Sequence, residues 1–243
     1  MLDLLGATAD AVTVAMHHHR EWGLSGTRHG QYHHDIAADA AALAVLGPSG
    51  VTILSEESGM QAGRLAVTVV IDPIDGSTNA SRGLPWWSTS LCAVDADGLW
   101  VALVADQVTG ERWHAVRGGG AFHNDERIFR PSTPPLRDAI IGLGGWPPFH
   151  FGWNQFRAFG AIALDLCAVA DGRLDGYVHC VPDEVAEWDY LGGMLVCQEA
   201  GALVVDVNGR HLYPLDHGAR RTPVAAGDSE LLDELLTARR EFA

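Results

Sequence analysis

Hydrophobic positions recur at helical spacing from Asp3 to Arg20, which predicts an amphipathic first helix. The Ala-rich run Asp35–Leu46 keeps that period and predicts a second helix, with Asp35 at or near its start. The pattern then changes to short β-rich stretches. "VTILSEES" (51–58) stops at two glutamates, and "RLAVTVVIDPIDG" (64–76) reads as a longer strand ending at two aspartates. Strands follow at Ser88–Asp95, Trp100–Asp106 and Glu111–Val116, separated by the turns "DADG" and "VTGE", and "RGGGAFHND" (117–125) reads as a glycine-rich turn. The three prolines of "RPSTPPLRD" (130–138) interrupt helix and strand alike, so the chain is expected to divide into 1–135 and 136–243. Beyond this point "AIIGLGG", "LDGYVHC", "ALVVDV" and "TPVAAG" read as strands. Phe159–Ala170, "EWDYLGGMLVCQEAG" closed by Gly201, and "SELLDELLTARREF" with Ser229 as its cap read as helices. An α+β half packed on an α/β half is the expected architecture.

Composition narrows the function. The chain has 243 residues, 47% of them hydrophobic, which suffices for a substantial core. A formal charge of -15, from 16 basic and 31 acidic residues, argues against nucleic acid or an acidic membrane surface as partner. The N-terminus carries Asp3 and lacks the basic region of a signal peptide, and no stretch reaches the roughly 20 apolar residues of a membrane span, so a cytoplasmic location is expected. Cys92, Cys167, Cys180 and Cys197 are scattered without a CxxC pair, which favours reduced thiols over disulfides or zinc. His17–His19 point in different directions on a helix and cannot chelate one ion together, whereas His33 and His34 are candidates for a pocket mouth. Trp86 and Trp87 suit a core or a dimer surface better than a substrate platform.

The candidate chemistry lies where strands end. In "IDPIDGSTN" (71–79), Asp72 and Asp75 flank a rigid proline and precede a flexible glycine. Two carboxylates held together repel, and a hard divalent cation removes that cost. The N–H groups of Gly76, Ser77 and Thr78 are placed to receive a phosphate. The competing reading is a capped turn in which both aspartates accept local hydrogen bonds. Glu56 or Glu57, Asp35 and Asp189 also stand at strand ends or helix starts, where Asp35 and Asp189 could equally serve as helix caps. Four such acidic positions beside one glycine turn fit a multinuclear metal site better than four coincidences.

"SEES", "IDPIDGSTN" and "EWDYLGGMLVCQEAGA" together resemble the three signatures of the inositol monophosphatase family, Mg²⁺-dependent, lithium-sensitive sugar and polyol phosphatases related to fructose-1,6-bisphosphatase. "ADQVTGERWHAVRGGGAFHND" and "GAIALDLCAVADGRLDGYV" extend the resemblance over nearly the whole chain. It implies a layered αβαβα sandwich, commonly a homodimer. It also implies a first metal on Glu56, Asp72 and the Ile74 carbonyl, and a second on Asp72, Asp75 and Asp189. Two or three Mg²⁺ are expected, with Mn²⁺ a possible substitute. Ser77 would help activate water and Asp35 would pair with its hydroxyl. The implied substrate is a small phosphorylated sugar, polyol or amino alcohol.

Departures fall on the alcohol side. The first loop, "SGTRHGQYHH", carries Arg28 and no lysine. Ala161 stands where a hydroxyl is common, and His179 where a sugar-binding glutamate is common; "VPDEVAE" (181–187) is inserted before Trp188. His179, Ala161 and Glu187 are therefore the candidate substrate-binding residues. Histidinol phosphate, nucleotide 3′-phosphates and sugar bisphosphates are the alternative substrates. A non-catalytic, ligand-binding member of the fold is the alternative class. "RGGGAF" lacks the GxGxxG spacing of a dinucleotide site.

Overall fold

Helices and sheets alternate in five layers, α-β-α-β-α, in the computed structural model, which describes residues 1–28 and 30–242. Helices α1 (Leu2–His18) and α2 (His33–Ser49) form the first layer. The first sheet follows from β1 (Thr52–Ser55), β2 (Gly59–Gln61) and β3 (Thr68–Asp75). The short α3 (Ser77–Arg82) leads to β4 (Ser88–Asp95), β5 (Gly98–Asp106), β6 (Arg112–Val116), β7 (Gly120–His123) and β8 (Glu126–Ile128). Its order is β2-β1-β3-β4-β5-β6-β7-β8, antiparallel except for the parallel β1–β3 pair. After a 3-10 turn (Leu136–Asp138), the second sheet is built from β9 (Ile140–Gly144), β10 (Gln155–Arg157), β11 (Gly176–His179), β12 (Leu203–Asp206) and β13 (Pro223–Ala226), in the order β10-β9-β11-β13-β12. Helices α4 (Ile162–Asp171) and α5 (Glu187–Ala200) lie between the sheets, and α6 (Ser229–Arg240) covers the far face.

Strand alternation decides which layer each residue joins. Val69, Ile71, Leu91, Ala93, Val101 and Leu103 pack on Leu5, Ala9, Ala38 and Leu46 of the outer helices. Their neighbours Val70, Cys92, Ala102 and Val104 face the other way, onto Leu166, Leu191 and Leu195 of the central helices. Both faces of the sheet are covered, so β3–β5 read as nearly continuous apolar runs.

Three local expectations need correction. "RGGGAFHND" is not only a turn: β7 runs through it, because Ala121 packs in the central core and pairs with Ala115. The cap of α6 is Asp228, whose carboxylate accepts the Leu231 N–H at 3.0 Å, and Ser229 is already helical. The first residues of "RLAVTVVIDPIDG" stay outside β3, since Arg64 and Leu65 instead donate to the Gly50 carbonyl. All four cysteines are free and buried. No helix among the described residues is long and apolar enough to cross a membrane.

Candidate active site

The ends of β1 and β3 and the starts of α2, α3 and α5 meet around one cleft of about 360 Å³. β3 stays paired with β4 across the aspartates, Asp72 opposite Ser90 and Asp75 opposite Ser88, so three steps of one strand match two of the other. This bulge, at Pro73, turns both carboxylates inward. Asp72 accepts the Ile74 N–H at 2.9 Å, and Thr89 donates to the Pro73 carbonyl at 2.8 Å. Gly76 then adopts φ 90°, and a Cβ there would lie 3.1 Å from both the Ala161 Cβ and the Trp86 carbonyl. Conformation and space both demand glycine.

Glu56, Asp72 and Asp189 bring one carboxylate oxygen each to within 4.8 Å of one another. Asp75 lines the same cleft but gives one oxygen to the Ala163 N–H at 2.8 Å. Asp35 and Asp189 combine two roles that the sequence left as alternatives. Each sits one turn into its helix and accepts the N–H of the capping residue, Tyr32 at 2.9 Å and Ala186 at 2.6 Å respectively. Each still lines the cleft. Ser77 lines it too, its hydroxyl donating to the Ile74 carbonyl at 2.8 Å.

The electrostatics follow from burying these groups together. Burial, then the charges of Asp189 and Glu57, pushes Glu56 up to about 8. Burial, then Asp75, takes Asp189 to about 7. Asp72 and Asp75 are held well above the carboxylate range, chiefly by burial and then by acidic neighbours. Asp35 rises to about 6 through burial, against the pull of the Tyr32 N–H and the Ser77 hydroxyl. Converging oxygen donors of one charge, in a pocket that penalises that charge, suit a hard divalent cation.

A second cavity of about 320 Å³ adjoins the cleft, sharing Asp75, Gly160 and Asp189 with it. Ala161 and His179 line it, as does Glu184 from the inserted segment. Tyr177 donates to His179 Nδ1 at 3.0 Å, and His179 Nε2 donates to Glu184 at 2.8 Å, an assignment fixed because a carboxylate only accepts. Glu187 is not brought to either cavity. It is fully buried and accepts the N–H groups of Leu215 and Asp216 at 2.9 and 2.7 Å, tying α5 to that loop. His33 and His34 do not line the cleft either. His34 is buried, stacked on Tyr32 with its Nε2 3.2 Å from Asp35, and burial lowers it to about 4. Trp86 packs on Phe159 and Trp87 on Trp22, both half-buried.

Several lining or bracing residues escape sequence reasoning. Asn79 ties two loops by donating to the Trp86 and Phe159 carbonyls at 2.8 and 2.7 Å. Buried Asp165 accepts from Trp86 Nε1 at 3.0 Å and lines the second cavity. Asn79 closes the "IDPIDGSTN" stretch and was the readable one; Asp165 sits inside an apolar helix with no local signal.

A profile described as "Inositol monophosphatase family" matches residues 39–243. A Pasteurella multocida protein named Nus factor SuhB is 37% identical over 197 residues, 74% of this chain and 72% of its own length. A fructose-1,6-bisphosphatase/inositol-1-monophosphatase of Archaeoglobus fulgidus is 35% identical over 183 residues, covering 73% and 71% respectively. A crystal structure of an inositol monophosphatase–fructose 1,6-bisphosphatase superposes with TM-score 0.86 at 27% identity, covering 97% of this chain and 98% of that one.

Proposed function

We propose, for a chain that belongs to the inositol monophosphatase family, that it is a metal-dependent phosphatase acting on the monoester of a small sugar, polyol or amino alcohol. The observation that carries this reading is the convergence of carboxylate oxygens of Glu56, Asp72 and Asp189 to within 4.8 Å of one another, with Asp75 beside them. Glu56, Asp72 and the Ile74 carbonyl would hold one Mg²⁺, and Asp72, Asp75 and Asp189 a second. Bound there, such ions supply Lewis-acid charge to the phosphoryl group and the attacking water. The protein's own part is positioning and proton handling. Ser77 would orient the water, its hydroxyl turning from the Ile74 carbonyl to pair with Asp35, and Glu56 would take the proton of the water. The backbone N–H groups of Gly76, Ser77 and Thr78 would steady the phosphate oxygens. Ala161 and His179, with Glu184, would meet the alcohol.

The chain would divide near residue 135, the first part supplying most metal ligands and the second Asp189 and the alcohol wall. A cytoplasmic homodimer, inhibited by Li⁺, completes the reading on family grounds. The test is a phosphate-release screen over inositol, hexose, histidinol and nucleotide phosphates, with Mg²⁺ and with excess chelator. Turnover of at least one monoester, abolished by chelator, is expected; turnover unaffected by chelator rejects the mechanism.

A further inference from the structure

Six carboxylates line the metal cleft and, among the described residues, one cationic side chain does, Arg28. It comes from the loop between α1 and α2. Its Nη2 donates to Glu57 at 2.9 Å and its Nη1 to the Glu56 carbonyl at 3.3 Å, which places the guanidinium at the edge of the metal cluster. The Glu57 side chain is only 6% exposed and also accepts from Gln31 Nε2, whereas Arg28 remains 45% exposed. Tyr32 closes the other side, its hydroxyl 3.3 Å from Thr78 Oγ1. The loop is closed on itself as well: Ser25 N–H donates to the Gln31 carbonyl at 2.9 Å and His33 N–H to the Gly23 carbonyl at 3.0 Å. Arg220 is the cation felt by Asp189, but it donates to the His217 and Ala219 carbonyls and does not line the cleft.

A guanidinium has five N–H groups in a rigid fork, and two contacts leave the rest open to the cleft. Carboxylates and phosphates are the ligands such a fork recognises; Glu57 is the carboxylate it already holds, and a phosphate is the anion a cleft suited to cations would bring to its remaining N–H groups. We propose that Arg28 binds the phosphoryl oxygens of the substrate directly, and that Glu57 and Gln31 are positioning residues that hold it over the cleft. This rests on the phosphatase reading and adds to it a contact outside the metal ligands and the Gly76–Thr78 amides. It also gives the second glutamate of "SEES" a role distinct from Glu56: one faces the cations, the other anchors an arginine.

The experiment compares wild type, Arg28→Met, Glu57→Gln and Arg137→Met. Arg137 is 80% exposed and remote from the cleft, so its variant controls for the loss of one positive charge. Inorganic phosphate is titrated into the Mg²⁺-loaded proteins by calorimetry, and kcat and KM are measured on the best monoester. Arg28→Met should weaken phosphate about tenfold and raise KM by a similar factor, with kcat within about threefold of wild type, the pattern of lost uniform binding. Glu57→Gln should raise KM about threefold, and Arg137→Met should change nothing. A merely structural role for Arg28 would lower the melting temperature and leave phosphate affinity unchanged. Equal phosphate affinity in wild type and Arg28→Met, or no phosphate binding by the wild type, overturns the inference. Absence of turnover with the phosphate difference intact would instead reject the phosphatase reading and leave Arg28 an anion contact.

Discussion

The two adjoining cavities are built by different means. In the metal cleft four of the six carboxylates are placed by backbone they also bond to: the bulge for Asp72, the capping N–H groups for Asp35 and Asp189, the α4 N-terminal segment for Asp75. The alcohol-side cavity is held by side chains, through Tyr177, His179 and a Glu184 that is 54% exposed. Backbone-anchored groups are fixed by the fold itself, whereas a relay of side chains can be exchanged without moving a strand. The difference separates a cleft whose geometry the backbone fixes from a wall whose side chains can be exchanged.

The sharpest way to break the comparison is Asp72→Asn, which removes charge from the carboxylate proposed to bridge both ions. A loss in kcat of at least a hundredfold is expected, about 2.7 kcal/mol of barrier; a variant retaining a tenth of wild-type kcat would contradict the bridging role. Gly76→Ala comes next. It puts a Cβ against Ala161 and the Trp86 carbonyl at φ 90°, so both activity and melting temperature should fall; unchanged values for both would show that the turn tolerates a side chain.

The cleft was the more legible region in the sequence, for a physical reason. Acidic residues gathered at strand ends and helix starts leave a dense local signature, so Asp72, Asp75, Glu56 and Asp189 could be named as candidate ligands before the fold was known. Their convergence was an expectation drawn from the number of such positions and from the family resemblance, since it depends on α5 lying across the first sheet, which no local pattern shows. The αβαβα layering came from the family resemblance more than from periodicity: strands buried on both faces carry little alternation, and the edge strands β2 and β10 are only three residues each. On the alcohol side His179 and Ala161 were readable as departures. Glu187 was misplaced, because charge in the insert does not reveal which glutamate turns inward to cap the 215–216 backbone. Glu184, three residues earlier in the same insert, is the one that reaches the cavity.

pH sharpens the same contrast. Carboxylates raised by burial, such as Asp189 at about 7 and Glu56 at about 8, bind protons more tightly folded than unfolded. Their stabilising contribution is complete below the ordinary carboxylate range and is lost as pH rises through the folded values. The metal-free protein should therefore lose melting temperature between about pH 4.5 and 8, and Mg²⁺ should restore more at pH 8 than at pH 5, the ligands then being ionised. Differential scanning fluorimetry with chelator or Mg²⁺ checks this; a Mg²⁺ effect that is independent of pH would place the ion elsewhere. The smallest effects are expected on the alcohol side. His179→Glu and Ala161→Ser should reorder kcat/KM among phosphorylated alcohols by roughly tenfold while leaving metal dependence intact. If inositol 1-phosphate already ranks first in the wild type and neither substitution changes the order, the altered-pocket argument fails.

The central claim, that Glu56, Asp72 and Asp189 form a metal centre, is tested most directly without any substrate. Mn²⁺ titrated into the protein, with the free ion followed by electron paramagnetic resonance, should be taken up by the wild type at two sites and be displaced by Mg²⁺. Asp72→Asn, verified as folded by its circular dichroism, should lose that uptake. Equal Mn²⁺ stoichiometry and affinity in the two proteins would contradict the claim.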